Sequence, residues 1–236
     1  ISSIAHDIDC FGDSSGFIKT EINAISHATP YEFSWTNGQS YNSSISLDTL
    51  FGLTSGSYQL NVIDANGCQL YSGSVIEEPQ EIEISYVKQD ATCFGASDGF
   101  IDVTVSGGTG PYSYDWSNGS NAEDATNLSS GPYSLLVTDI NSCSKFIQFE
   151  INQPTSLIQS GIITSVSCKG GQDGQIDIST SGGTPPYSYS WSNSSNNEDL
   201  QNVPAETYNL SVTDYNGCLN QTSYFVSEPQ DSLSLS

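Results

Sequence analysis

Methionine is absent from this 236-residue chain, and so is arginine. Four lysines face 27 Asp plus Glu, giving a formal net charge of −23 at pH 7. Without a basic patch the chain has nothing to replace the counterions of nucleic acid or anionic lipid, which excludes both as partners. No apolar run approaches the ~20 residues of a membrane span, which argues against membrane insertion, and no segment resembles a signal peptide. No CxxC and no Cys/His cluster occurs, so the usual zinc patterns are missing. The two histidines, His6 and His27, have no counterparts further along the chain. A nucleophilic serine needs a base and an orienting group together, so the Ser-rich stretches have no catalytic partner and no enzyme is expected. No stretch shows helical periodicity with caps. The lack of Met even at position 1 predicts an internal piece of a longer polypeptide.

Hydrophobic residues make up 36% of the chain and fall in alternating runs, which can bury a core and argue against disorder. The acidity suits solubility, cation binding or a like-charged cell surface.

One phrase recurs. Residues 107–119 read GGTGPYSYDWSNG, residues 182–194 read GGTPPYSYSWSNS, and residues 30–38 read PYEFSWTNG. Trp116 and Trp191 are 75 apart, as are Cys93 and Cys168, Cys68 and Cys143, and Cys143 and Cys218. Pro79, Pro154 and Pro229 keep the same step. Three repeats of about 75 residues follow: 1–79, 80–154 and 155–229, with 230–236 opening the next. The first has two extra residues between Cys10 and Trp35 and six between Trp35 and Tyr58, both in turn-rich stretches where loop insertions belong. Residues 1–10 align with 84–93, and 230–236 with 80–86, so further repeats are expected on both sides.

In the second repeat, residues 82–87 and 100–105 read as strands around the turn CFGASDG. Tyr112, Tyr114 and Trp116 share one strand parity and face inward; Ser113, Asp115 and Ser117 face out. Residues 133–139 and 145–151 read as a hairpin, with Asp-x-Asn-Gly (whole at 64–67 and 214–217) as its turn. About seven short strands per repeat predict an all-β fold: three tandem immunoglobulin-like (PKD-like) antiparallel β-sandwiches in a linear array. Trp35, Trp116 and Trp191 are then core plugs. Tyr58, Tyr133 and Tyr208 join the core at a corner where a Tyr hydroxyl bonds backbone. The competing reading of the aromatics, a sugar-stacking platform, conflicts with their inward parity.

GGTGPYSYDWSNG, followed by GPYSLLVTDINSC and preceded by CFGASDGFIDV, resembles the SprB repeat, which builds giant gliding-motility adhesins of Bacteroidota. The third repeat is similar (CKGGQDGQIDI, YNLSVTDYNGC); the first departs, with SHATPYEFSW in place of the Gly-Gly loop. The resemblance implies an extracellular, cell-surface protein exported by type IX secretion, with the gliding machinery as partner. The repeat also occurs in other large secreted proteins of these bacteria.

Six cysteines at regular spacing favour disulfides and an oxidising compartment. Two pairings respect the period. One closes each repeat on itself: Cys10–Cys68, Cys93–Cys143, Cys168–Cys218. In a sandwich those loops lie at opposite ends of a strand, ~23 Å apart, and a disulfide needs Cα atoms within about 7 Å. The other staples neighbours: Cys10–Cys143 and Cys93–Cys218, leaving Cys68 and Cys168 for repeats outside the sequence. The topology tips the choice toward the staggered pairing.

Asp98, Asp173, Asp64, Asp139 and Asp214 sit in turns and are candidate Ca²⁺ ligands, since a hard cation takes oxygen donors. The alternative is that Asp, with Asn66, Asn141 and Asn216 two residues on, bonds its own turn backbone; Ser15 replaces the aspartate in the first repeat. Thr49 (Asp-Thr-Leu) and Ser232 (Asp-Ser-Leu) are candidate O-glycosylation sites by resemblance to the Bacteroidota tripeptide. Tyr41 and Phe51, in the insertion of the first repeat, are candidate ligand-binding residues if exposed. Three functions are open: a force-bearing adhesin shaft whose partners are its adjacent repeats, a module binding surface polysaccharide, and an accessory domain of a secreted hydrolase.

Overall fold

A computed structural model describes residues 1–23 and 28–230. It contains strands, turns and no helix among them. In the first repeat these are β1 (Ser2–His6), β2 (Gly16–Glu21), β3 (Tyr31–Trp35), β4 (Ser40–Ser43), β5 (Leu47–Leu53), β6 (Gly56–Ile63) and β7 (Gln69–Ile76). The second has β8 (Glu83–Gln89), β9 (Gly99–Ser106), β10 (Ser113–Trp116), β11 (Ala125–Leu128), β12 (Gly131–Thr138) and β13 (Ser144–Ile151). The third has β14 (Ile158–Thr164), β15 (Gly174–Ser181), β16 (Ser188–Trp191), β17 (Leu200–Val203), β18 (Thr207–Thr213) and β19 (Leu219–Phe225).

One topology recurs. Sheets β1-β2-β5, β8-β9-β11 and β14-β15-β17 alternate in sequence with β4-β3-β6-β7, β10-β12-β13 and β16-β18-β19. The pairings with a described register are antiparallel, and the chain changes sheet between β2 and β3, β4 and β5, and β5 and β6, as in an immunoglobulin-like sandwich. The six-residue insertion of the first repeat, expected as loop, instead supplies β4, which pairs with β3 from Tyr31↔Ser43 to Ser34↔Ser40. Its Ser-Tyr-Asn-Ser, polar around one aromatic, suits an edge strand.

The chain divides into two compact units. One is Ile1–Tyr86 with Val103–Glu123 and Ser134–Ile147; the other is Val87–Asp102 with Asp124–Tyr133 and Gln148–Ser236. Each holds one whole repeat and part of the second. In the first unit Ile18, Phe33, Trp35, Leu50, Leu60, Val62 and Ile76 form the centre of a buried cluster. In the other, Val166, Ile176, Trp191, Leu210, Val212 and Val226 do so.

The three indoles are 5%, 2% and 3% exposed, so they serve packing rather than sugar stacking. Trp116 Nε1 donates to the Ala122 carbonyl (3.0 Å) and Trp191 Nε1 to that of Asn197 (2.9 Å). Trp35 has no such carbonyl, because the β3–β4 hairpin occupies that stretch; its Nε1 is buried, with the Tyr41 hydroxyl of β4 as its polar neighbour.

Each corner tyrosine donates its hydroxyl to the carbonyl four residues back: Tyr58 to Thr54 (2.9 Å), Tyr133 to Ser129 (3.1 Å), Tyr208 to Pro204 (3.0 Å). Tyr208 is buried, but Tyr58 and Tyr133 are only half-buried, not core as expected. The hydroxyl bond is common to all three, so it is packing that differs: Tyr208 belongs to the buried cluster of its repeat, whereas Tyr58 only packs against the outside of its own.

Candidate functional site: the paired cysteine loops

Two kinds of loop carry the cysteines. The first follows the opening strand of each repeat. Ala96 N donates to the Cys93 carbonyl (3.1 Å) and Gly171 N to that of Cys168 (2.9 Å), as Asp13 N does to that of Cys10 (3.1 Å). Asp98 Oδ1 accepts from Thr92 N and Asp173 Oδ1 from Ser167 N, both at 3.0 Å; in the first repeat Ser15 Oγ accepts from Asp9 N (3.1 Å). A hydroxyl thus does the work of the missing carboxylate. Side-chain hydrogen bonds, Thr92 to Asp98 and Ser167 to Asp173, and then the backbone N–H groups, hold both carboxyls below the ordinary range.

The second kind is the Asp-x-Asn-Gly-Cys hairpin turn. Asp64, Asp139 and Asp214 are buried, and their Oδ1 atoms accept from N–H groups two and four residues on, at 2.8–3.0 Å. Oδ2 of Asp139 accepts from Thr109 N (2.9 Å) and that of Asp214 from Thr184 N (2.8 Å), tying the turn to the Gly-Gly-Thr loop. Gly108 N and Gly183 N donate to the Gln80 and Thr155 carbonyls (2.7 and 2.8 Å), closing that loop over the start of its repeat. Tyr112 and Tyr187 donate to the Gly107 and Gly182 carbonyls (2.5 and 2.7 Å). The recurring phrase is therefore a brace for the cysteine turn.

Disulfides join loop to turn: Cys10–Cys143 with Cα atoms 5.5 Å apart, and Cys93–Cys218 at 5.6 Å. This is the staggered pairing, first repeat to second and second to third. Asn141 Nδ2 donates to the Asp9 carbonyl (3.3 Å) and Asn216 Nδ2 to that of Thr92 (3.0 Å), so each junction carries a polar bond beside its disulfide. Cys68 and Cys168 are free and exposed.

Oδ1 of Asp64, Asp139 and Asp214 thus accepts from the backbone of its own turn, and Oδ1 of Asp98 and Asp173 from the N–H just before its loop cysteine. Among the described residues no three His, Cys, Asp or Glu side chains gather as metal ligands. Thr49 lies half-buried in β5, paired with Lys19; Ser232 and His27 fall outside the described residues. Tyr41 is 36% exposed and stacks on Phe33, with ring centroids 5.5 Å apart. Burial, and then the Asp48 carboxylate, raises its phenol above the usual value. Phe51 is 68% exposed and leans on Phe17 at 5.8 Å, which stacks on His6 at 4.7 Å. His6 stood in the sequence only as a lone imidazole and Phe17 only as the counterpart of Phe100; their stacking appears only once β1 and β2 are paired.

Strand order and junctions define a class: a tandem-repeat, immunoglobulin-like β-sandwich protein with disulfides between successive repeats. More particularly, the family model described as SprB repeat matches the chain at two places, residues 85–121 and 160–196. No curated protein matches it. Among solved structures the chain is similar to the N-terminal eight Ig domains of Down Syndrome Cell Adhesion Molecule isoform 1.30.30. Identity there is 9%, coverage 96% of this chain and 36% of that one, and TM-score 0.42. It is also similar to Sidekick-1 immunoglobulin domains 1-5 (11%, 97% and 59%, 0.37). A third is the C-terminal 282-residue fragment of intimin, in complex with the intimin-binding domain of its translocated receptor (11%, 73% and 68%, 0.38). The chain spans less than two thirds of the first two. SprB repeats belong to cell-surface adhesins, and the two disulfides fit an extracellular protein. Among the described residues no helix is long and apolar enough to cross a membrane.

Proposed function

We propose that this chain is a non-catalytic structural segment of a long extracellular adhesin at the bacterial outer surface. It serves as force-bearing shaft in surface adhesion and gliding motility, with residues 1–79, 80–154 and 155–229 as domains in a line. The repeat family supports this reading, and with it type IX secretion and the gliding machinery as partners. The observation that carries it is the pair of disulfides between successive repeats. A bond within one repeat would stabilise that repeat alone; a bond between repeats gives tension a second covalent path across the junction. Labelled antibody against the purified chain, added to intact producing cells, tests the reading. Surface staining and antibody-coated beads carried along the cell are expected. Staining only after the cells are broken open would sink it.

A second reading has one observation in its favour. Phe51, Phe17 and His6 form a partly exposed aromatic row on β1, β2 and β5, suited to stacking on surface polysaccharide. On a glycan array a positive signal lost in Phe51→Ala would support it; a blank array would remove it.

A further inference from the structure

The aromatic row on β1, β2 and β5 has a cation beside it. Ile18 and Thr20 of β2 are fully buried, so Phe17, Lys19 and Glu21 turn to the outer face of that sheet. Phe17 is paired with His6, and Lys19, in the next row, with Ile4 on one side and Thr49 on the other. Lys19 is exposed and makes no ion pair among the described residues, whereas Lys88 holds Asp90 (2.9 Å) and Lys145 holds Glu81 (2.6 Å). Glu21 lies a further row away, between Ser2 and Leu47.

The fold does not need this face. In the third repeat Ile176 pairs with Leu200 as Ile18 does with Leu50, so the two sheets align residue for residue. There the row is Thr164, Gln175 and Gln201, and Asp177 stands opposite Ile162 where Lys19 stands opposite Ile4. Asp199 occupies the place of Thr49, and the second repeat has Asp102 and Asp124 at these two places. The same three-stranded sheet thus forms over polar and acidic residues. Three neighbouring rings and an unpaired cation occur together in one repeat only, inside one compact unit, and answer to something outside it.

We propose that this face binds a polysaccharide built of uronic acids. The flat C–H face of a pyranose stacks on the row of His6, Phe17 and Phe51, and a carboxylate of the sugar chain sits on Lys19 Nζ. The inference rests on the stacking reading of that row and names its substrate class. One charge per sugar suits one lysine; a phosphate polymer would need a patch of cations, which the chain lacks.

The test titrates the purified chain with a β-linked mannuronate tetramer and with the matching mannose tetramer, which has the same ring and linkage without the carboxylates. At about 0.15 M salt, charges more than ~8 Å away are largely screened, so the remote acidic surface weighs little. Chemical shifts of isotope-labelled backbone amides read affinity, place and the integrity of the fold together. The mannuronate tetramer is expected to bind roughly fivefold more tightly, the worth of one exposed ion pair, with shifts centred on β1, β2 and β5. Lys19→Met keeps the aliphatic stem and should bring the two sugars to equal affinity. Lys19→Arg should keep the preference, and Phe51→Ala should weaken binding of both. Equal affinities for the parent, or a preference that survives Lys19→Met, would overturn the proposal and leave the stacking reading in place. Acetate alone giving the same shifts would overturn it too. Failure of both sugars to bind would remove the proposal and the stacking reading together.

Discussion

Gly107 and Gly182 have φ of 75° and 74°, and a Cβ on either would lie 1.9 Å from a backbone oxygen, that of Glu81 or Ser156. Gly217 also has positive φ, 86°, but a Cβ there meets nothing within 4 Å. Gly217→Ala should therefore cost only the left-handed backbone, about 1 kcal/mol, and Gly182→Ala at least about 3 kcal/mol, because carbonyl and strand must move apart. Urea denaturation of the two variants compares them; equal losses would mean that the close approach is harmless. Tyr208→Phe removes a buried hydroxyl and leaves the Pro204 carbonyl without that donor, with an expected loss of about 1 kcal/mol. At the half-buried Tyr133 water can replace the bond, so Tyr133→Phe should cost less in the same assay.

Among the elements, the cysteine loops set the acid response. Asp98 and Asp173 have lowered pKa values through hydrogen bonds from Thr92 and Ser167. Asp90 falls to about 2, chiefly through the Asn152 N–H and then Lys88. Each folded pKa lies below its unfolded value, so the stability these groups contribute is full above the ordinary carboxylate range and lost as pH falls through the folded pKa. The gap in urea midpoint between the parent and Asp173→Ala should be open at pH 7 and close as pH falls below the ordinary carboxylate range and Asp173 is protonated. Relief of general charge repulsion in acid is nearly common to both proteins and largely cancels in that gap. Sequence alternation located the Trp strand and the hairpin of each repeat because each buries one face; the opening strands β1, β8 and β14 read as strands too, although they bury no residue. Alternation missed β11 and β17, four residues each, whose Ala-Thr-Asn-Leu and Leu-Gln-Asn-Val expose two polar residues in succession around a positive-φ asparagine. A bulged strand breaks the period of two on which such readings rest. Loop ends at opposite poles of a sandwich, by contrast, made the staggered cysteine pairing legible beforehand. The aromatic row of His6, Phe17 and Phe51 was not, since it joins three strands distant in sequence and occurs once.

For the whole molecule, the disulfides change how far the chain can be drawn out. With every strand melted but both bonds intact, the shortest covalent route from Cys10 to Cys218 crosses to Cys143, runs backward to Cys93 and crosses again, about 50 residue steps and ~170 Å of contour. Reduced, the same span is about 208 steps and ~700 Å. Optical tweezers holding the chain outside Cys10 and Cys218 should record the short leash without reductant and the long one with it; equal lengths would mean that the bonds do not form as described. Denaturation under load would then let out little slack: the middle segment, threaded in reverse, stops a melted array from paying out line and keeps its ends near enough to refold when the load drops.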